Sequence, residues 1–195
     1  MNRLDLGIAA LTLSGQEECG DRHIVAPFAK GVLVAVVDGI GHGTEAARAA
    51  KIAEGVLKSR PHEPLVPLIS RCHEELRGTR GAVISMASIN HVEKVMTWAG
   101  AGNVQGKLLS RDHRSQAQTL VLSVGTLGQQ LAPIYPTVLP IKTGDTLIFS
   151  TDGVREDFDQ RLNLKQSPQQ LADEILARSA RQTDDALVLV GRYLG

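Results

Sequence analysis

The chain carries no excess charge of either sign, since 21 Lys+Arg offset 21 Asp+Glu. That balance removes the bulk argument for a nucleic-acid or membrane partner. It has only two cysteines, Cys19 and Cys72, at no framework spacing. A disulfide-built scaffold is thereby excluded, and two free thiols in a reducing cytosol are expected. No apolar run approaches membrane-spanning length, and Met1–Gly7 lacks the apolar centre of a signal peptide; a cytoplasmic protein without an anchor follows as the expectation. The six histidines are scattered and no Cys/His set has zinc spacing. Repeats, low-complexity tracts and linkers are also missing. The cluster Arg111-Asp112-His113-Arg114 is short and interrupted, which reads as a solvated loop.

What is present is an ordinary globular composition, 43% hydrophobic and 22% charged over 195 residues. Residues 1–195 suit one domain with a sizeable core. The most informative stretch is Gly31 to Thr44. Val32–Val37 has the length and β-branched content of a strand buried on both faces. It runs into Asp38, and a carboxylate at a buried strand end is expensive unless something pairs with it. Gly39, Gly41 and Gly43 follow as a turn, and residues 44–58 read as a helix with an alanine-rich face.

The rest of the chain alternates between the two periods. Leu6–Leu13 and Ile24–Phe28 are strand-like, and a second helix has apolar positions 65, 68, 69, 72 and 76, with Pro64 and Pro67 in its first turn. Residues 82–89, 94–99 and 104–109 have period two with turn chemistry between them, a meander of antiparallel strands. Thr119–Val124 and Thr137–Ile141 are weaker strands, and Thr146–Thr151 is a clear one. Ser167-Pro-Gln-Gln170 predicts a capped helix start, and Thr183-Asp-Asp-Ala-Leu-Val-Leu-Val190 an acid pair opening a buried strand. The class is α+β.

The acids recur in one setting. Asp38 and Asp152 end apolar strands, Asp184 and Asp185 begin one, and Asp21 leads into one. One such aspartate is an ordinary turn former; several together ask for another reason. Two unit charges about 4 Å apart cost roughly 4 kcal/mol at an effective dielectric of about 20, against a total stability of about 5–15 kcal/mol. Convergent carboxylates would need a cation or protons. Oxygen-only ligation suits Mg²⁺ or Mn²⁺ rather than zinc, and carboxylate-bound metal pairs serve phosphoryl transfer to water.

Gly20-Asp21, Val36-Val-Asp-Gly-Ile-Gly-His-Gly43, Gly144-Asp-Thr-Leu-Ile-Phe-Ser-Thr-Asp-Gly-Val154 and Thr183–Val190 together resemble the metal-dependent protein serine/threonine phosphatases, the PPM or 2C-type family. The likeness is greatest to its bacterial branch acting on sigma-factor regulators, and there to the small stressosome phosphatases of the RsbX type, through Arg80–Met86 and Gly102-Asn-Val104. The resemblance implies a four-layer α-β-β-α sandwich, two antiparallel sheets flanked by helices. It implies two Mn²⁺ or Mg²⁺ ions, with Asp38 bridging them, the Gly39 carbonyl assisting, Asp21 on one ion, and Asp152 and Asp184 on the other. Asp185 is then a supporting group. Asp38 and Asp152 act in catalysis through a metal-activated water, and His42 is placed to assist the leaving oxygen.

The same resemblance departs in places. The stretch Ser14–Cys19 has no arginine to grip phosphate, Arg22 reads as a surface residue, and Asp112 and Asp157 read as solvated. The implied substrates are phosphoserine or phosphothreonine on stressosome and STAS-type antagonist proteins, handled by a monomer. Two other readings are a catalytically weak domain that works as a binding module, which the complete acid set opposes, and a hydrolase of small phosphoesters.

Overall fold

The computed structural model describes residues 3–111, 117–160 and 162–195. The reading of Asp112–Arg114 therefore lies outside the described residues. The chain opens with three strands, β1 (Leu4–Leu11), β2 (Asp21–Phe28) and β3 (Gly31–Gly39), then two helices, α1 (Thr44–Ser59) and α2 (Leu65–Glu75). Five strands follow: β4 (Ala82–Asn90), β5 (Val95–Ala101), β6 (Gln105–Leu109), β7 (Gln118–Thr119) and β8 (Thr137–Pro140). Strand β9 (Thr146–Ser150), helix α3 (Pro168–Ser179) and strand β10 (Ala186–Tyr193) complete the order.

The strands form two five-stranded sheets, ordered β1-β10-β9-β6-β7 and β2-β3-β4-β5-β8, and every strand pair is antiparallel. Three apolar clusters separate four layers. One joins α1 and α2 to the outer face of the second sheet, one fills the seam between sheets, and one joins α3 to the first sheet. This is the expected α-β-β-α sandwich. Strand β3 shows why its sequence is apolar throughout: Leu33, Ala35 and Val37 face the helices, while Val32, Val34 and Val36 face the seam. Each large side chain so buried contributes about 1.5–3 kcal/mol.

Helix α1 buries Ala46, Ala47, Ala49, Ala50, Ala53 and Leu57, and its small residues bring the helix close to β2 and β3. At Gly39 a methyl group would stand 2.1 Å from the Ala46 carbonyl oxygen, so only glycine fits under the helix. Helix α2 starts one residue later than Pro64, which caps it. Helix α3 begins as expected, with the Ser167 hydroxyl accepting from Gln170 N–H and Gln170 Oε1 accepting from Ser167 N–H.

One expectation fails. Thr119–Val124 is not a strand, because only Gln118 and Thr119 pair, against β6. From Leu120 the chain turns away, held by Ser123 N–H on the Gly100 carbonyl and Gly102 N–H on the Ser123 carbonyl. Leu120 is buried, whereas Val121 and Val124 are 81% exposed. Among the described residues the run meets β5 only at the isolated Ala101–Ser123 bridge and has no partner strand to complete a ladder. Cys19 and Cys72 are unpaired. Among the described residues no helix is long and apolar enough to cross a membrane.

Candidate metal centre

Period two places the acids. Continuing the seam row of Val32, Val34 and Val36 along β3 brings Asp38 to the seam face. Asp21 starts β2 directly opposite Asp38. Gly39 N–H donates to the Gly20 carbonyl at 3.1 Å, so the pair outside them is hydrogen-bonded. The Asp21–Asp38 pair is then of the non-hydrogen-bonded kind, with Cα atoms about 4.5 Å apart and side chains close. The same parity runs through Leu187 and Leu189 back to Asp185, and through Leu147 and Phe149 on to Thr151. Asp38, Asp185 and Thr151 thus finish three apolar seam rows at one end of the sandwich, and Asp21 joins them there from the neighbouring strand. Asp152 and Asp184 stand just beyond their strands, on the loops at that end.

The hydrogen bonds divide these residues sharply. Both oxygens of buried Asp185 are taken, Oδ1 by Leu13 N–H at 2.7 Å and Oδ2 by Gly20 N–H at 2.6 Å. Asp185 therefore clamps the β1–β2 loop to the start of β10. The Thr151 hydroxyl accepts from Leu187 N–H at 2.9 Å and donates to Asp21 Oδ2 at 2.7 Å. Asp152 Oδ2 accepts from the Asn103 amide at 2.8 Å. Asp184 Oδ1 accepts from Asp185 N–H at 2.8 Å. Among the described residues no hydrogen-bond donor reaches the Asp38 carboxylate.

Electrostatics follow from that pattern. Burial pushes the Asp38 carboxyl up to about 9, and the charges of Asp21, Asp152, Asp184 and Asp185 add to the rise. Asp21 is pushed up to about 7 by burial, with the Thr151 hydrogen bond pulling the other way and Asp185, Asp152 and Asp184 pushing further. Asp184 is raised as well, by burial first, while the charge of His42 opposes the rise. His42 itself is exposed on the glycine turn. The five carboxylates thus act on one another through space, although they belong to segments more than 100 residues apart in the chain.

Among the described residues no three His, Cys, Asp or Glu side chains stand together at the spacing of a ready-made metal site. The donor chemistry nevertheless fits a hard divalent cation. It offers oxygen ligands only, and a half-buried carboxylate such as Asp38, with repulsive neighbours and no donor among the described residues, is the group a cation relieves. Asp185 fits that role least, because its oxygens are already occupied.

The five acids the resemblance assigns to the metals or their support, Asp21, Asp38, Asp152, Asp184 and Asp185, lie at this end. Thr151 and Asn103 were not singled out. Thr151 is within reach of the parity argument, since residues 147, 149 and 151 share a face; Asn103 reads as a turn residue within the Gly102-Asn-Val104 likeness, without a role of its own. Arg22 proves half-buried, with its Nε enclosed and unpartnered among the described residues. Asp157 is exposed, beside Arg155 at 3.6 Å. Two cavities of about 680 and 710 Å³ adjoin the Phe28–Gly31 turn at the opposite end of the β2–β3 hairpin; they hold none of these acids.

Residues 29–193 match the family model described as stage II sporulation protein E (SpoIIE). Over 183 residues the chain is 25% identical to the phosphoserine phosphatase RsbX of Bacillus subtilis (strain 168), covering 93% of this chain and 91% of that one. A solved structure described as "The bacterial stressosome: a modular system that has been adapted to control secondary messenger signaling" superposes with a TM-score of 0.88 at 31% identity, covering 98% of this chain and 100% of the other. RsbX in complex with magnesium superposes with a TM-score of 0.87 at 22% identity, covering 97% and 95%. At that identity the second superposition speaks for the fold.

Proposed function

The chain belongs to the SpoIIE family, and from that premise we propose that it is a metal-dependent protein serine/threonine phosphatase acting through the acid end of the sandwich. The observation that carries the reading is the directly opposed pair of buried Asp21 and half-buried Asp38 at a strand end, left in mutual repulsion with Asp152 and Asp184. Such an arrangement stores unfavourable charge that a divalent ion removes.

Two divalent ions would be held by Asp38 with Asp21 on one side and Asp152 and Asp184 on the other, the Gly39 carbonyl assisting at one of them. When bound, a divalent pair supplies Lewis-acid polarisation of the phosphoryl oxygens and a water nucleophile at neutral pH. The chain's own contribution is positional. Thr151 orients the Asp21 carboxylate and opposes the rise of its pKa, Asn103 holds Asp152, and Asp185 locks the β1–β2 loop that leads into Asp21. His42, exposed beside Asp184, would give a proton to the departing serine or threonine oxygen. Cys19 takes no part as a nucleophile, since burial pushes its thiol up to about 11.

The substrates we propose are phosphorylated STAS-type stressosome proteins, because a stressosome structure and a phosphoserine phosphatase are among the relatives of this chain. Residues 1–195 would act as one phosphatase domain, as a monomer, in the cytoplasm. The ions would be Mn²⁺ or Mg²⁺. The test is phosphate release from a phosphorylated stressosome scaffold protein, with and without Mn²⁺, by the wild type and by Asp38→Asn. Release that needs Mn²⁺ and disappears in Asp38→Asn supports the reading. Release without metal, or undiminished in the variant, sinks it.

A further inference from the structure

A serine or threonine phosphate brings about 1.5–2 negative charges to a site already made of aspartates. Ions that neutralise the aspartates leave the outer phosphoryl oxygens in want of a donor. We propose that Arg80 is the side chain that grips them; the assignment rests on the phosphatase reading above.

Arg80 lies on the short connection between α2 and β4, and its backbone is held on both sides. Its carbonyl accepts from the Gln129 amide at 2.5 Å. Its neighbour Gly81 accepts from Ile40 N–H at 3.0 Å, and Ala82 exchanges two backbone bonds with Leu127 at 3.1 and 2.8 Å. The Ile40 bond ties Arg80 to the chain two residues beyond Asp38. The side chain then lies along the glycine turn: a methyl group on Gly41, whose φ is +87°, would come within 3.0 Å of Arg80 Nη1. Glycine at 41 leaves the guanidinium room to sit against the turn that follows Asp38.

The guanidinium is also free. Arg60, Arg71 and Arg77 on the same helical side are paired with Glu63 or Glu74. Among the described residues no carboxylate takes Arg80, although five aspartates stand at this end of the sandwich. A fixed backbone, an exposed and unpaired planar cation, and a neighbouring acid centre are what a bidentate phosphate contact requires. Arg22 is placed otherwise. It shares strand parity with Ile24 and Ala26, which face the helices and not the seam.

Inorganic phosphate is the probe. Titrated by calorimetry into the Mn²⁺-loaded protein, it is expected to bind Arg80→Ala about ten- to hundredfold more weakly than wild type, the range of a lost charge-assisted contact. Arg80→Lys, which keeps the charge without the fork, should recover part of that loss. Mn²⁺ affinity and melting temperature should match wild type in both variants. Phosphate affinity within about twofold of wild type in Arg80→Ala overturns the assignment, and so does a parallel fall in Mn²⁺ affinity. A wild type that binds no phosphate overturns it too. The titration needs no turnover. A protein that binds phosphate through Arg80 yet releases none from any phosphoprotein would refute the phosphatase reading and leave this one standing.

Discussion

Two strand ends meet at the acid mouth and treat their aspartates in opposite ways. At the start of β10, Asp185 is buried with both oxygens satisfied by backbone N–H groups. At the end of β3, Asp38 is held among four other acids with no donor at all among the described residues. Both finish an apolar seam row, and both are aspartate. One is an anchor within the fold; the other is a charge the fold leaves unpaired. In the proposed centre the difference separates residues that build the site from those that would face its ligand.

The sharpest way to break the comparison is Asp38→Asn. The substitution should lower metal-dependent phosphate release by about a thousandfold or more, since a lost charge at the centre of the site removes several kcal/mol of transition-state stabilisation. In EDTA at neutral pH the same variant should be more stable than wild type by about 1 kcal/mol or more, because asparagine needs neither a charge nor a proton taken up on folding among the other acids. Urea denaturation in EDTA measures it, and a less stable variant would show that Asp38 holds the fold and does not strain it.

The same repulsion makes stability depend on pH. Asp38 and Asp21 have folded-state pKa values of about 9 and about 7, both raised from 3.8. Between those limits the folded protein holds protons that the unfolded chain releases. Metal-free stability should therefore fall as pH rises from about 4 to about 9, by at most about 1.4 kcal/mol per pH unit for each group. Mn²⁺ should flatten the slope. Chemical denaturation at pH 5, 7 and 9, with and without the ion, tests both statements; a metal-free slope of the opposite sign would contradict the picture.

Asp185→Ala should do the reverse of Asp38→Asn. It leaves Gly20 N–H and Leu13 N–H without their acceptor and should cost about 2–4 kcal/mol in either buffer. If it instead stabilised the metal-free protein, as loss of a repelling charge would, the clamp would be no clamp.

How much of this could be read in the sequence depends on how far each cause reaches along the chain. Val32–Val37 declared itself as a buried strand because both its faces are covered, and Ser167–Gln170 declared a helix start because the capping box is complete within four residues. The acids stood out because each sits where an apolar run stops. Asp184 and Asp185 are adjacent, so spacing alone does not separate them; family likeness favoured Asp184, and the hydrogen bonds of Asp185 supply a physical reason. Four layers were not in the periodicity, which says that a strand has two buried faces but not what covers each. Thr119–Val124 misled for a related reason: a β-branched run looks like a strand whether or not a partner lies beside it. Arg80 was invisible in its role, since Gly41 and Gln129, which define its place, are each far from it in the chain.

Thr151 offers the finest test, because it belongs to both sides of the comparison. Its hydroxyl accepts from Leu187 N–H, as an anchor does, and that leaves its proton for Asp21, which faces the ligand side. Thr151→Val keeps the shape and removes both bonds, so stability should fall by about 1–2 kcal/mol. The Thr151 hydrogen bond is also what draws the Asp21 carboxyl down against its neighbours. Without it the Asp21 pKa climbs further, more of the carboxyl is protonated near neutrality, and metal binding must compete with a proton. The expected result is a Mn²⁺ titration whose pH midpoint moves upward, with affinity approaching that of wild type at pH 9. Thr151→Ser, which restores the hydroxyl, should bring the midpoint back. A midpoint that stays put in Thr151→Val while stability falls would make Thr151 an anchor alone, and would place Asp21 under the control of its fellow acids.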